Sequence, residues 1–215
     1  MENPAPDAIV LNPAEARILG CLAEKKELTP DVYPLTLNSA LAAANQKTAR
    51  DPVMALETAE VHRALKTLEQ KGLVRQVFAS RVERYEQLLS QRYSLTRSQT
   101  AIIALLLLRG AQTAHELLAR SERMAGYKSV EELNGDLDLL IGRKTPLVQL
   151  VERGPGQRED RYVHLLSGPV AALAPSAARQ TPAFAPVSGL EARVEALEAQ
   201  VAALRAQVDA LTQKN

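Results

Sequence analysis

The chain has 215 residues, 46% of them apolar and 24% charged, with a formal net charge of +1. That composition leaves room for two small globular domains and a tail, and it excludes an overtly basic nucleic-acid binder, so any electrostatic footprint is local. One cysteine excludes an intrachain disulfide, and one cysteine with three histidines argues against a Cys/His zinc site.

Aromatic residues amount to 3% and tryptophan is absent, so the cores must be built from Leu, Val, Ile and Ala. That suits helices better than sandwiches. Basic and acidic residues number 12 and 10 over 11–96, 10 and 9 over 97–166, and 4 and 4 over 167–215. The opening MENPAPDA carries two acids and no hydrophobic run, so residues 1–10 read as a tail without a secretory signal. The longest apolar run, Ala101 to Leu108, falls far short of the roughly 20 residues that cross a bilayer. The expectation is a cytoplasmic, soluble protein with no membrane contact.

Asn12-Pro13-Ala14-Glu15 predicts a helix start, with an Asn cap, Pro at the first position and Glu reaching back. Ile18, Leu19 and Leu22 give that helix an apolar side, and Cys21 beside them reads as buried and inert. Pro30-Asp31-Val32-Tyr33-Pro34 reads as a rigid non-helical connector. A second helix is expected from Leu35 to Asn45. The polar stretch Asn45 to Pro52 is longer than an ordinary helix-turn-helix turn. It allows two readings: phosphate or partner contact through Lys47 and Arg50, or an Arg50–Asp51 knot that stiffens the turn.

The stretch Glu57 to Phe78 organises the first unit. Val61, Leu65 and Leu68 recur at helical spacing, Lys71-Gly72 stops the helix, and Leu73 to Phe78 reads as a strand. A turn at Ala79-Ser80-Arg81 returns the chain through Val82 to Leu88. Arg75, Arg81 and Arg84 make the hairpin positive, ready to grip phosphate or a minor groove. The alternative pairs Arg84 with Glu83 or Glu86 at a sheet edge.

The same order of elements follows. Thr96-x-x-Gln99, Thr113-x-x-Glu116 and Ser129-x-x-Glu132 each predict a capped helix. Strands Leu147 to Val151 and Asp160 to Leu166 flank a Gly154-Pro155-Gly156 turn. Leu65, Leu68, Leu73-Val74 and Arg84-Tyr85 correspond to Leu137, Leu140, Leu147-Val148 and Arg161-Tyr162. The last helix of this copy carries Glu131, Glu132, Asp136 and Asp138 and no Lys or Arg, so it is not expected to read DNA. Arg153, Arg158 and Arg161 make its hairpin tip basic.

Residues 167–189 are Pro/Ala-rich and read as a linker. Beyond it Leu190, Val194, Leu197, Val201, Leu204, Val208 and Leu211 alternate steps of four and three. Val at a and Leu at d favour a parallel two-stranded coiled coil and with it a homodimer; the alternative is an amphipathic helix that docks on the protein's own core or on another partner. The expected fold is mainly α (α+β): two tandem winged helix-turn-helix domains over 11–95 and 96–166, the linker, and a short coiled-coil helix over 190–212.

The runs PDVYPLTLNSALAAANQKTARDPVM, SRVERYE, LLLRGAQTAHEL and PGQREDRYVHLLSG resemble the YceH family of uncharacterised bacterial proteins. The resemblance covers about residues 11 to 168. It implies two winged-helix domains and a dimer, and it carries no established activity. Glu57 departs from the pattern, standing where relatives tend to have Ser, which puts the helix cap in doubt.

No Gly-rich phosphate loop, nucleophile elbow or metal spacing is present, so an enzyme, a cofactor and a metal are not expected. His62, His115 and His164 lack suggestive partners in sequence. The leading expectation is a DNA-binding protein, a transcriptional regulator using Lys47, Arg50, His62, Arg63, Lys66, Arg75, Arg81 and Arg84. The alternative is a dimeric interaction scaffold that binds a protein partner without reading DNA.

Overall fold

The computed structural model describes residues 9–79, 82–154 and 156–169. The linker from residue 170 onward, the heptad segment from Leu190 to Leu211 and Arg81 lie outside the described residues. The protein is mixed α+β, with seven helices and two small antiparallel sheets among those residues.

The first half runs α1 (Pro13–Leu28), β1 (Leu35–Thr36), α2 (Leu37–Ala44), α3 (Thr58–Gln70), β2 (Val74–Ala79), β3 (Val82–Gln87) and α4 (Leu89–Tyr93). Asn12 Oδ1 accepts from the Glu15 N–H at 2.9 Å while Glu15 accepts from the Asn12 N–H at 3.0 Å, so the anticipated box starts α1. At α3 the doubt over Glu57 is answered by Glu60, whose carboxylate accepts from the Glu57 N–H at 2.8 Å. Val61, Ala64, Leu65 and Leu68 are buried, and Gly72 adopts φ 68°, which lets the Leu73 N–H return to Leu68 O at 2.9 Å.

Three local expectations change. Leu35 and Thr36 are strand rather than helix, because they pair with Tyr85 and Arg84 and Thr36 then caps α2 by accepting from the Ser39 N–H. Pro30–Val32 forms one short 3-10 turn, since Pro at a first helical position gives up only an N–H that would go unused. Helix α4 was not anticipated; it is a single turn whose Leu89 is buried.

The second half runs α5 (Arg97–Arg109), α6 (Ala114–Ser121), α7 (Val130–Ile141), β4 (Val148–Val151) and β5 (Arg161–His164). Its contacts repeat those of the first half. Leu147 N–H donates to Leu140 O at 3.1 Å as Leu73 does to Leu68, and Leu165 N–H donates to Leu147 O at 2.8 Å as Leu88 does to Leu73 at 2.7 Å. Gln112 bridges Tyr162 just before Thr113 caps α6, as Leu35 pairs with Tyr85 just before Thr36 caps α2. The sheet order is β1-β3-β2 in the first half and β4-β5 in the second.

One apolar core runs through both halves. Every residue from Gln99 to Leu108 of α5 is buried, because one side of the helix serves its own half and the other meets α1. The two helices approach closely at Gly20, where an added Cβ would lie 2.9 Å from Leu108 Cγ and 3.1 Å from Leu107 Cβ. A backbone bond from Leu11 N–H to Leu166 O at 2.7 Å ties the start of α1 to the end of the second half.

Candidate interaction surface around helix α3

Burial of Val61, Ala64, Leu65 and Leu68 turns the opposite side of α3 outward, so Thr58, Ala59, Glu60, His62 and Arg63 are exposed. Lys47 is exposed in the loop before the helix. Among the described residues, the side chains of Lys47, His62 and Arg63 have no hydrogen-bond or ion-pair partner. These three candidates are free to meet a ligand.

The remaining candidates are engaged within the chain. Lys66 donates to Gln76 Oε1 at 2.6 Å and to Glu69 Oε2 at 3.3 Å. Arg75 pairs across the hairpin with Glu86, its registered neighbour, at 2.6 Å from Nε. Arg84 donates to Pro34 O at 2.8 Å and so pairs with neither Glu83 nor Glu86. That bond pins the connector to β3, as does the Tyr33 hydroxyl, which accepts from the Gln87 N–H at 2.6 Å.

Arg50 departs furthest from its expected role. It is buried, and all five of its N–H donors find acceptors inside the protein. Nε donates to Ala43 O at 3.0 Å; Nη1 donates to Glu24 Oε1 at 3.0 Å and Ala49 O at 2.9 Å; Nη2 donates to Glu24 Oε2 at 2.6 Å and Gln46 Oε1 at 2.9 Å. No donor remains for phosphate. Burial works against the charge, but Glu24 and the neighbouring Cys21 together more than offset it, leaving the guanidinium pKa above its ordinary value. The stiffening partner is therefore Glu24 on α1, a residue that the sequence reading did not single out.

The Cys21 thiol is pushed up to about 11 by burial and is unreactive. His164 is held down to about 4 by burial, and its Nδ1 has no partner. His115 faces Glu159 at 3.4 Å on the surface. On α7, Asp136 accepts from Gln99 Nε2 at 2.9 Å and the Tyr127 hydroxyl at 2.6 Å, while Glu131, Glu132 and Asp138 are exposed. Arg161 donates to Ala111 O at 3.0 Å, whereas Arg153 and Arg158 are exposed. Among the described residues there is no cluster of metal-ligating side chains, and no helix is long and apolar enough to cross a membrane.

Residues 11–157 match the family described as protein of unknown function DUF480. The chain belongs to the UPF0502 (DUF480) family. It is 74% identical over 185 residues to a UPF0502 protein of Mesorhizobium japonicum, covering 86% of this chain and 88% of that one. A UPF0502 protein of Xanthomonas axonopodis pv. citri is 57% identical over 175 residues, 80% of this chain and 78% of its own. One of Stenotrophomonas maltophilia is 51% identical over 165 residues, 77% and 75% of the two chains. The UPF0502 match begins at Leu11, the residue tied to Leu166, and takes in the whole of α1 to β4.

In this UPF0502 chain the buried charges had a readable signal. Arg17, Cys21 and Glu24 stand at i, i+4 and i+7, which puts them on one stripe of α1. Charges at core spacing call for partners. Arg17 finds Ala44 O at 3.1 Å and Pro52 O at 2.6 Å, and Glu24 finds Arg50.

Proposed function

We propose that the chain consists of two tandem winged-helix units and that the first of them binds duplex DNA, with α3 in the groove. The observation that carries this reading is the sheet order β1-β3-β2 combined with a third helix whose outer face is exposed. A helix-turn-helix uses its second helix in that way. Arg63 and His62 then face base edges or phosphates, Lys47 takes a phosphate, and Arg75 exchanges Glu86 for phosphate at little cost because exposed ion pairs are weak. The acidic α7 is repelled by phosphate and makes no such contact. The heptads from Leu190 to Leu211 pair two chains in parallel and raise the local concentration of their first units.

A second reading, a dimeric scaffold for a protein partner, is favoured by one observation: Arg50 and Arg84 are both spent inside the chain. Hydrogen exchange with random-sequence duplex DNA tests the first reading. Protection of residues 57–63 with α7 unchanged is expected; protection confined to α7, or none anywhere, overturns it.

A further inference from the structure

The segment between α2 and α3 spans residues 45–57, far more than the three or four residues that a helix-turn-helix turn needs. It is nevertheless closed. Asn45 Nδ2 donates to Leu56 O and Leu56 N–H donates back to Asn45 Oδ1, both at 2.8 Å. The Arg50 guanidinium fills the loop and joins it to Glu24. Arg17 holds the backbone on both sides, at Ala44 O and Pro52 O. A further anchor comes from the other half, since Asp51 N–H donates to Leu108 O at the end of α5 at 2.9 Å. A loop with touching ends and its own packing often carries function.

We propose that this loop is a pre-formed contact element whose geometry is set by α1 and α5 together, so that the second half of the chain governs how α3 meets its partner. The inference rests on the reading of α3 as a DNA-facing helix and deepens it, with duplex DNA as the partner and Lys47 as the loop's phosphate contact. Ordering the loop before the encounter removes a cost that binding would otherwise carry. Leu107 and Leu108 press on α1 at Gly20, and Leu108 also accepts from the loop. A disturbance of α5 therefore reaches both anchors at once.

Hydrogen exchange of the full chain without DNA tests the brace. Leu108→Ala is compared with Leu117→Ala, which opens a core position on α6 instead. Leu108→Ala should speed exchange over residues 45–57 by about tenfold relative to the β2–β3 hairpin, and Leu117→Ala should not. An equal rise across the whole first half, or the same loop response in Leu117→Ala, overturns the proposal. Random-sequence duplex DNA is then added. Weaker binding by Leu108→Ala supports control of α3; a loosened loop with wild-type affinity overturns it. Absence of binding by the wild type overturns the DNA reading itself, and the proposal with it, while leaving the exchange result to stand as a property of the fold.

Discussion

Arg50 and Glu24 form a two-point ion pair, Nη1 to Oε1 at 3.0 Å and Nη2 to Oε2 at 2.6 Å, with side chains 0% and 8% exposed. Removing one partner strands the other charge in the interior. Glu24→Gln is expected to lower unfolding stability by about 3–5 kcal/mol in urea titration. Arg50→Lys should also be costly, because a single ammonium cannot reproduce five donors in a planar fork. A loss under about 1 kcal/mol would mean that the pair is not shielded from water.

Two glycines in helix interiors separate propensity from packing. Gly135 on α7 has nothing within 4 Å of an added Cβ, whereas Gly20 on α1 meets Leu108 at 2.9 Å. Both gain about 1 kcal/mol of helix propensity on substitution by Ala. At Gly20 crowding opposes that gain by about 1–3 kcal/mol. Gly135→Ala should therefore raise the melting temperature and Gly20→Ala should not. Equal gains at both sites would show that α1 and α5 are not in close contact.

His164 makes stability depend on pH. Its folded pKa is about 4 against an ordinary 6.5, so below 6.5 the unfolded chain binds a proton that the folded chain refuses. The folded state is at full strength above that range and loses about 1.4 kcal/mol per pH unit as pH falls toward 4, about 3 kcal/mol in all. His164→Leu removes this slope. Denaturation at pH 7, 5.5 and 4.5 (about the limits of the window) checks it, and an identical pH profile in the variant would refute the assignment.

Arg75 separates binding from folding. Its pair with Glu86 is exposed, so Arg75→Ala should change stability by less than about 1 kcal/mol. The same substitution should weaken DNA binding, measured by fluorescence anisotropy. Unchanged affinity would remove Arg75 from the surface.

Helices α1, α5, α6 and α7 were legible because their caps are local: Asn12, Thr96, Thr113 and Ser129 each bond a backbone N–H three residues on. β1 was not legible, since two residues take their conformation from β3, some fifty residues away. Among the candidate site residues, Lys47, His62 and Arg63 are exposed, and the sequence could not distinguish them from Arg50. That arginine's fate depends on Glu24, reached only when α1 packs against the loop. The all-apolar run Ala101 to Leu108 had a meaning that composition alone did not reveal. A helix apolar on every side needs two packing partners, and α1 is the second.

The central claim, DNA contact through the exposed cations beside α3, is tested most directly by the salt dependence of binding to random-sequence duplex DNA. The full chain should bind at micromolar or tighter affinity in low salt, and replacing both Lys47 and Arg63 with Ala should flatten the log–log salt slope by about 1.8. No binding at low salt, or a slope unchanged in the double variant, would contradict it.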